Sequence, residues 1–254
     1  MTRTLLAIES STDWLSVALL RDEEVLVLEE CEDSRQHASA LLPTIDAVLS
    51  VAERTLDDLD AIGISTGPGS FTSLRIGLAT AKGLAFEREL LGVGVSTLEA
   101  MALSVLEGNS RSGRREVVSL LDARRGEWYA GGWSQAAGAS GSLPVATLPE
   151  GLYAPSQLAE DLGDDVILMT PEAAGWQRTF EAACVPLAQV VEGRAARPRA
   201  DWVGRLAQRR LDRGEGVPVS ALGARYLRRA EAEAKRLGGP VEEGEVARLD
   251  ERQR

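Results

Sequence analysis

The chain of 254 residues carries 28 Lys/Arg against 39 Asp/Glu, a formal net charge of −11, with 44% hydrophobic and 26% charged residues. That length and balance predict one large or two small globular units, and the acidity argues against a protein that grips nucleic acid by itself. No apolar run reaches the roughly 18 residues of a membrane span, and the apolar stretch 5–8 is shorter than the roughly 7–15 residues of a signal-peptide core, so the expected location is the cytoplasm.

Residues 5–9, 14–21 and 25–31 read as three strands, with the polar stretch 22–24 as a hairpin turn. The period then changes. Leu41, Leu42, Ile45, Val48 and Leu49 form one helical stripe over residues 38–51. Ser34 is the expected cap, and Pro43 argues for a delayed start of that helix. A strand over 60–66 runs through Gly67-Pro68-Gly69-Ser70 into a helix over 71–86 that is rich in small residues. Residues 90–95 read as a strand, and Ser96 caps a helix over 97–106. A polar, glycine-bearing linker covers 108–115. Beyond it the pattern predicts strands over 116–122 and 127–134, a loop over 136–142 and a helix over 155–162. It continues with strands over 166–170 and 185–191 and helices over 199–213 and 222–236. Both halves open on a strand that ends in polar residues and is followed by another strand. This parallel is compatible with a duplicated fold around a cleft.

Three places carry candidate chemistry. Gly67 to Arg75 joins a strand to a helix, where glycines and free helix N–H groups can meet an anion and Arg75 can add a donor; a capped structural turn explains the same residues. It lacks the Lys-Ser/Thr pair of a Walker A loop. Glu9-Ser10-Ser11-Thr12 can hold phosphate or a hydrated metal, or can satisfy its own turn. Asp122 ends a strand but has Arg124 and Arg125 beside it as ready ion-pair partners. His37 is the one histidine, so a two-histidine helical metal site is excluded, and it reads as a capping or surface residue. Cys31 and Cys184 lie far apart outside any CxxC spacing and read as reduced thiols. Residues 194–236 hold twelve Arg/Lys against five Asp/Glu, either a solvated basic face or a patch for an acidic partner or RNA.

Several of these runs resemble one family. They are Leu5 to Thr12 followed by Ser16-Val17-Ala18-Leu19, the stretch His37 to Pro43, and Gly67-Pro68-Gly69-Ser70-Phe71-Thr72-Ser73-Leu74-Arg75-Ile76-Gly77. Leu121 to Tyr129, and Tyr226-Leu227-Arg228 with Glu231 and Glu233 read as part of a C-terminal helix, complete the set. Together they are similar to the TsaB family, also called YeaZ; the likeness is dense to about residue 130 and thin over 135–220.

The resemblance implies an α/β fold of the actin/Hsp70/sugar-kinase type, duplicated, with two subdomains around a cleft. Residues 1–107 would form the first, 108–237 the second, and 238–254 a disordered tail. It implies a non-catalytic partner of TsaD, the subunit that transfers a threonylcarbamoyl group from threonylcarbamoyl-adenylate to adenosine 37 of tRNAs reading ANN codons. The ATPase TsaE completes the bacterial complex, and tRNA is reached only through the complex. TsaD relatives carry two helical histidines for a metal, whereas this chain has His37 alone. The expected partner surface, also used for homodimers, comes from the first two helices: His37, Leu41, Leu42, Ile45, Val48, Leu49, Phe71, Leu74, Arg75, Leu78, Ala81 and Ala85. By periodicity alone, one monomer's core buries the same stripes equally well. No catalytic residue, metal or cofactor is expected. Ser10, Ser11, Thr12, Asp122 and Gly126 would be a vestigial phosphate site, with nucleotide in the cleft left open. The chain departs from the family in having Glu9 for the usual Asp, Ser73 for the usual Gly, and no Gly-Gly motif near Gly175. The rival readings are a small-molecule kinase or nucleotide hydrolase of the same fold and, against the single histidine, a metalloprotease.

Overall fold

The structure is a computed structural model that describes residues 2–31, 37–108, 115–136, 139, 141–163, 165–172, 176–185 and 189–228. Its first half opens on three antiparallel strands, β1 (Thr4–Glu9), β2 (Leu15–Arg21) and β3 (Glu24–Cys31). Helix α1 (His37–Val51) then leads to β4 (Ala61–Gly67), helix α2 (Phe71–Leu84), β5 (Leu91–Ser96) and helix α3 (Thr97–Gly108). In β1 every residue from Leu5 to Glu9 is buried, because helices cover both faces of its sheet. Leu6 and Ile8 point to the layer of α1 and α2, while Leu5 and Ala7 point to the opposite layer.

The second half repeats the plan with β6 (Arg115–Asp122), β7 (Trp128–Gln135), β8 (Val145–Tyr153), helix α4 (Pro155–Asp161), β9 (Val166–Thr170), helix α5 (Trp176–Ala182) and β10 (Gln189–Glu192). The two sheets have one topology. In the first, β3-β2-β1-β4-β5 run side by side, β1 pairing antiparallel with β2 and parallel with β4. In the second, β8-β7-β6-β9-β10 take the same places with the same directions. The expected duplication is therefore present strand for strand, and the fold is the two-subdomain α/β arrangement of the actin/Hsp70/sugar-kinase type.

Helix α3 lies between the sheets. Leu98, Met101, Ala102 and Val105 pack on the second sheet through Val117, Trp133 and Ile167, whereas Ala100 and Leu103 join the layer under the first. The chain finally returns to the first half. Helix α6 (Ala200–Asp212) packs under β1, β2, β4 and β5, and the short strand β11 (Val217–Pro218) pairs with β5 at the sheet edge. Residues 200–222, expected within the second unit, thus bury their apolar side chains against the first sheet.

Several expectations change. The helix α1 starts at His37 and runs through Pro43, which sits at an exposed position. The strand β8 and helix α5 were not anticipated: β8 contains Pro149, Gly151 and two register shifts that erase a period of two, and α5 has seven residues. The helix expected over 222–236 is absent across 222–228, where Arg225 N–H bonds to Thr66 of β4. Ser34, most of the linker, residues 229–236 and the tail 238–254 lie outside the described residues.

Candidate functional site

The end of β1 and the loop before α2 meet at the mouth of the cleft. Ser11 donates from both its N–H and its hydroxyl to Glu9 Oε1, at 2.6 and 2.5 Å. The Ser10 hydroxyl lies beneath α2 and donates to the Ser73 carbonyl at 3.3 Å. Ser70 N–H donates to the Ser11 carbonyl at 2.6 Å, which pins the two loops together. Glycine is needed at 69, because a Cβ there would lie 2.1 Å from that same oxygen.

Glu9 is completely buried, and burial pushes its carboxyl above the ordinary range against the hydrogen bonds from Ser11. Its Oε2 has no hydrogen-bond partner. Ser70 caps α2, accepting from Ser73 N–H at 3.4 Å and from the Ser73 hydroxyl at 3.0 Å. The Ser73 hydroxyl in turn stands 3.2 Å from His37 Nδ1. His37 is buried between α1 and α2, so its reading as a capping or surface residue is corrected; desolvation lowers its pKa, and Asp13 opposes that shift. Ser73 thus supplies the group that ties α1 to the N-terminus of α2.

The cleft between the halves is a space of about 390 Å³. Ser11, Thr12 and Asp13 face Asp122, Arg124 and Glu172 across it. Of the expected phosphate residues, Ser11, Thr12 and Asp122 therefore come together. Ser10 and Gly126 do not line the cleft, Gly126 serving the turn between β6 and β7 with φ +81°. Those that meet are already engaged. Ser11 is bound to Glu9, Thr12 Oγ1 accepts from Trp14 N–H at 3.4 Å, and Asp122 accepts from Arg124 N–H at 2.7 Å and pairs with its guanidinium at 3.4 Å. Burial raises the Glu172 pKa, and Asp122 and Asp13 raise it further while Arg124 opposes them. Three carboxylates against one guanidinium make this an acidic field, unfavourable to a polyphosphate. Among the described residues no group of three or more His, Cys, Asp or Glu is placed to hold a metal ion.

The expected partner surface divides in two. Leu41, Ile45, Val48, Leu49, Leu74, Leu78 and Ala81 are at most 7% exposed and form interior core, which corrects their reading as surface. Leu42 is 51% exposed, Arg75 is exposed, and Phe71 and Ala85 are half-buried. Ala79, one of the small residues expected in α2, is exposed on the same outward side although it was not among the expected partner residues.

Five arginines of the basic segment pair with acids outside it. Arg209 pairs with Glu23 and Glu107, Arg210 with Glu99, Arg225 with Glu150, Arg228 with Glu127 and Arg194 with Glu30. Among the described residues these five arginines are therefore matched by acids elsewhere in the chain and are not a free stripe of the kind that tracks a phosphate backbone.

Residues 31–143 match the family model described as TsaD, tRNA N6-adenosine threonylcarbamoyltransferase. The chain is 40% identical over 126 residues to the tRNA threonylcarbamoyladenosine biosynthesis protein TsaB of Escherichia coli, covering 49% of this chain and 52% of that one. It is 34% identical over 128 residues to the Bacillus subtilis protein of the same name, covering 50% and 54%. In sequence the chain spans about half the length of the curated relatives it matches. The solved structure of YeaZ from Pseudomonas aeruginosa superposes with a TM-score of 0.74 at 29% identity, covering 89% of this chain and all of that one.

Proposed function

We propose that the chain is a TsaB (YeaZ) family protein of tRNA threonylcarbamoyladenosine biosynthesis and the non-catalytic partner of a TsaD-type transferase. The observation that carries the non-catalytic half is the closed network at the end of β1. Ser10 and Ser11 spend their hydroxyls on Ser73 and Glu9, and the opposing wall is acidic. Such a cleft withholds the Ser10 and Ser11 hydroxyls from a phosphate on the β1 side and faces it with the carboxylates of Asp122 and Glu172 on the other. The transfer to adenosine 37 then takes place on the partner, with tRNA reached through the complex and TsaE as its third protein.

The contribution of this chain is a surface. The outward face of α1 and α2 presents Leu42, Ala79 and, half-buried, Ile76, a small-residue and aliphatic face on which a partner helix can approach closely. Among the described residues no helix is long and apolar enough to cross a membrane, in keeping with a cytoplasmic setting.

The test is co-purification with the TsaD homologue of the same genome, followed by light scattering and a threonylcarbamoyl-transfer assay with and without this chain. A heterodimer whose transfer activity depends on the chain is expected, and Leu42→Asp or Ala79→Asp should abolish it in a folded protein. ATP turnover by the isolated chain without association would overturn the reading in favour of a kinase or nucleotide hydrolase.

A further inference from the structure

We infer that residues 225–228 are a latch that couples the cleft to the first turn of α2, so that the two halves cannot part without loosening that turn. The strap is held at both ends. On the first half, Arg225 N–H donates to the Thr66 carbonyl at 2.7 Å. Tyr226 stacks on Phe71 with ring centroids 4.8 Å apart, and its hydroxyl accepts from Arg75 Nε at 3.1 Å. The Arg75 guanidinium lies 3.7 Å over the same Phe71 ring, so Phe71 is packed between a strap residue and its own helix.

On the second half, Arg228 pairs with Glu127 and donates to the Ala123 carbonyl at 2.5 Å, gripping the turn that forms one wall of the cleft. Arg225 Nη1 lies 2.6 Å from Glu150 Oε2 on β8, an ion pair without hydrogen-bond alignment. The side chain of Glu150 is only 8% exposed, so parting this pair would strand a buried carboxylate.

The backbone is shaped for the strap. A Cβ on Gly67 would lie 2.6 Å from the Arg225 carbonyl oxygen, and Gly67 also has φ +118°. The first glycine of the Gly67-Pro68-Gly69 run therefore admits the strap, as the second admits Ser11. Beneath the strap, Pro68, Phe71, Tyr129 and Tyr226 wall a small cavity of about 200 Å³ beside the main cleft. A path thus runs from Glu127 to Arg228, along the strap backbone to Tyr226, and through Phe71 and Arg75 into α2. Because coupling free energies are reciprocal, whatever binds the outer part of α2 and whatever wedges the cleft must influence one another by the same factor. The inference goes beyond the proposed function and does not depend on which partner α2 meets.

Hydrogen–deuterium exchange of the full chain tests it. Glu127→Gln alters only the second half, yet it should speed exchange in peptides covering 71–78 by about five-fold or more while leaving 200–212 unchanged, as expected for sub-global opening. Tyr226→Ala should act in reverse and speed exchange over 122–129. Arg124→Ala, in the same turn as Glu127 but paired with Asp122, is the control and should not reach α2. If Tyr226→Ala does not fold, Glu127→Gln still decides the matter. Faster exchange confined to the half that carries the substitution would overturn the latch.

Discussion

At the scale of the residue, Glu9 is the side chain with the most to reveal. Its carboxyl is fully buried, one oxygen is held by Ser11 and the other has no hydrogen-bond partner. Desolvation raises its pKa in the folded protein, so the native state holds this proton more tightly than the unfolded chain does. The stability it contributes is then fully present below the unfolded pKa and is lost as pH rises through the raised value. Glu9→Gln, which cannot ionise, should remove that loss. Urea titrations at pH 5 and pH 7.5 should show the variant gaining on the parent as pH rises, and a pH-independent difference would refute the assignment. Ser70 makes a second case. Its Oγ caps α2 and anchors the Ser73 hydroxyl that reaches His37, so Ser70→Ala should cost about 1 kcal/mol, the usual worth of a cap. A shift in the urea midpoint would measure it. The Ser70 cap was legible as one of the readings open for the Gly67–Arg75 turn, whereas the role of Glu9 was not. A hydroxyl after a strand reads identically whether it awaits a phosphate or satisfies its own turn, and only the directions of the Ser10 and Ser11 bonds separate the two.

At the scale of the element, α1 shows what periodicity can and cannot disclose. Leu41, Ile45 and Val48 were legible as one stripe because helical geometry puts them on one face. What covers that face was not legible, since a protomer's own sheet and a partner protein demand the same apolar pattern. The structure assigns the stripe to the core beside Leu15, Val17 and Leu19, which leaves Leu42 on the opposite side. Ile45→Ala should therefore destabilise the isolated chain by about 2–5 kcal/mol, whereas Leu42→Asp should stay within about 0.5 kcal/mol of the parent. Paired urea curves check both, and comparable losses would mean that Leu42 is not at the surface. The same limit explains the missed β8. Its bulged pairing with β7 shifts register beside Gly131 and Gly132, and a strand without a regular period of two leaves no trace in a hydrophobic pattern. The expected helix failed over 222–228 for a different reason. Ala224, Leu227 and their neighbours have acceptable helix propensity, but the backbone is drawn out by contacts with β4 and the turn at Ala123 that no local window contains.

At the scale of the molecule, the distribution of charge is the organising fact. A chain with net charge −11 that concentrates arginines near its end invites an electrostatic account of function. The structure turns that account inward, because five of those arginines join parts of the chain far apart in sequence. Arg209 is the most enclosed: its side chain is 4% exposed, and it pairs with Glu107 at 2.7 Å and Glu23 at 2.6 Å while donating to the Ser142 carbonyl at 2.9 Å. It thereby fastens α6 to the end of α3, to the β2–β3 turn and to the loop before β8. Glu107 is only 8% exposed, whereas Glu23 is 32% exposed and can recover water if its partner goes. Removing the guanidinium strands Glu107 and one carbonyl away from solvent, so Arg209→Ala should cost about 3–5 kcal/mol. The penalty comes mostly from the abandoned carboxylate rather than from the lost attraction. The double variant Arg209→Ala with Glu107→Ala should therefore be no worse than Arg209→Ala alone, and well short of the sum of the two single losses. Urea denaturation of the four proteins in the cycle measures this directly. Additive losses would mean that Glu107 is solvated in the absence of Arg209, and that the arginine acts by filling space between α3 and α6 rather than by neutralising a buried acid.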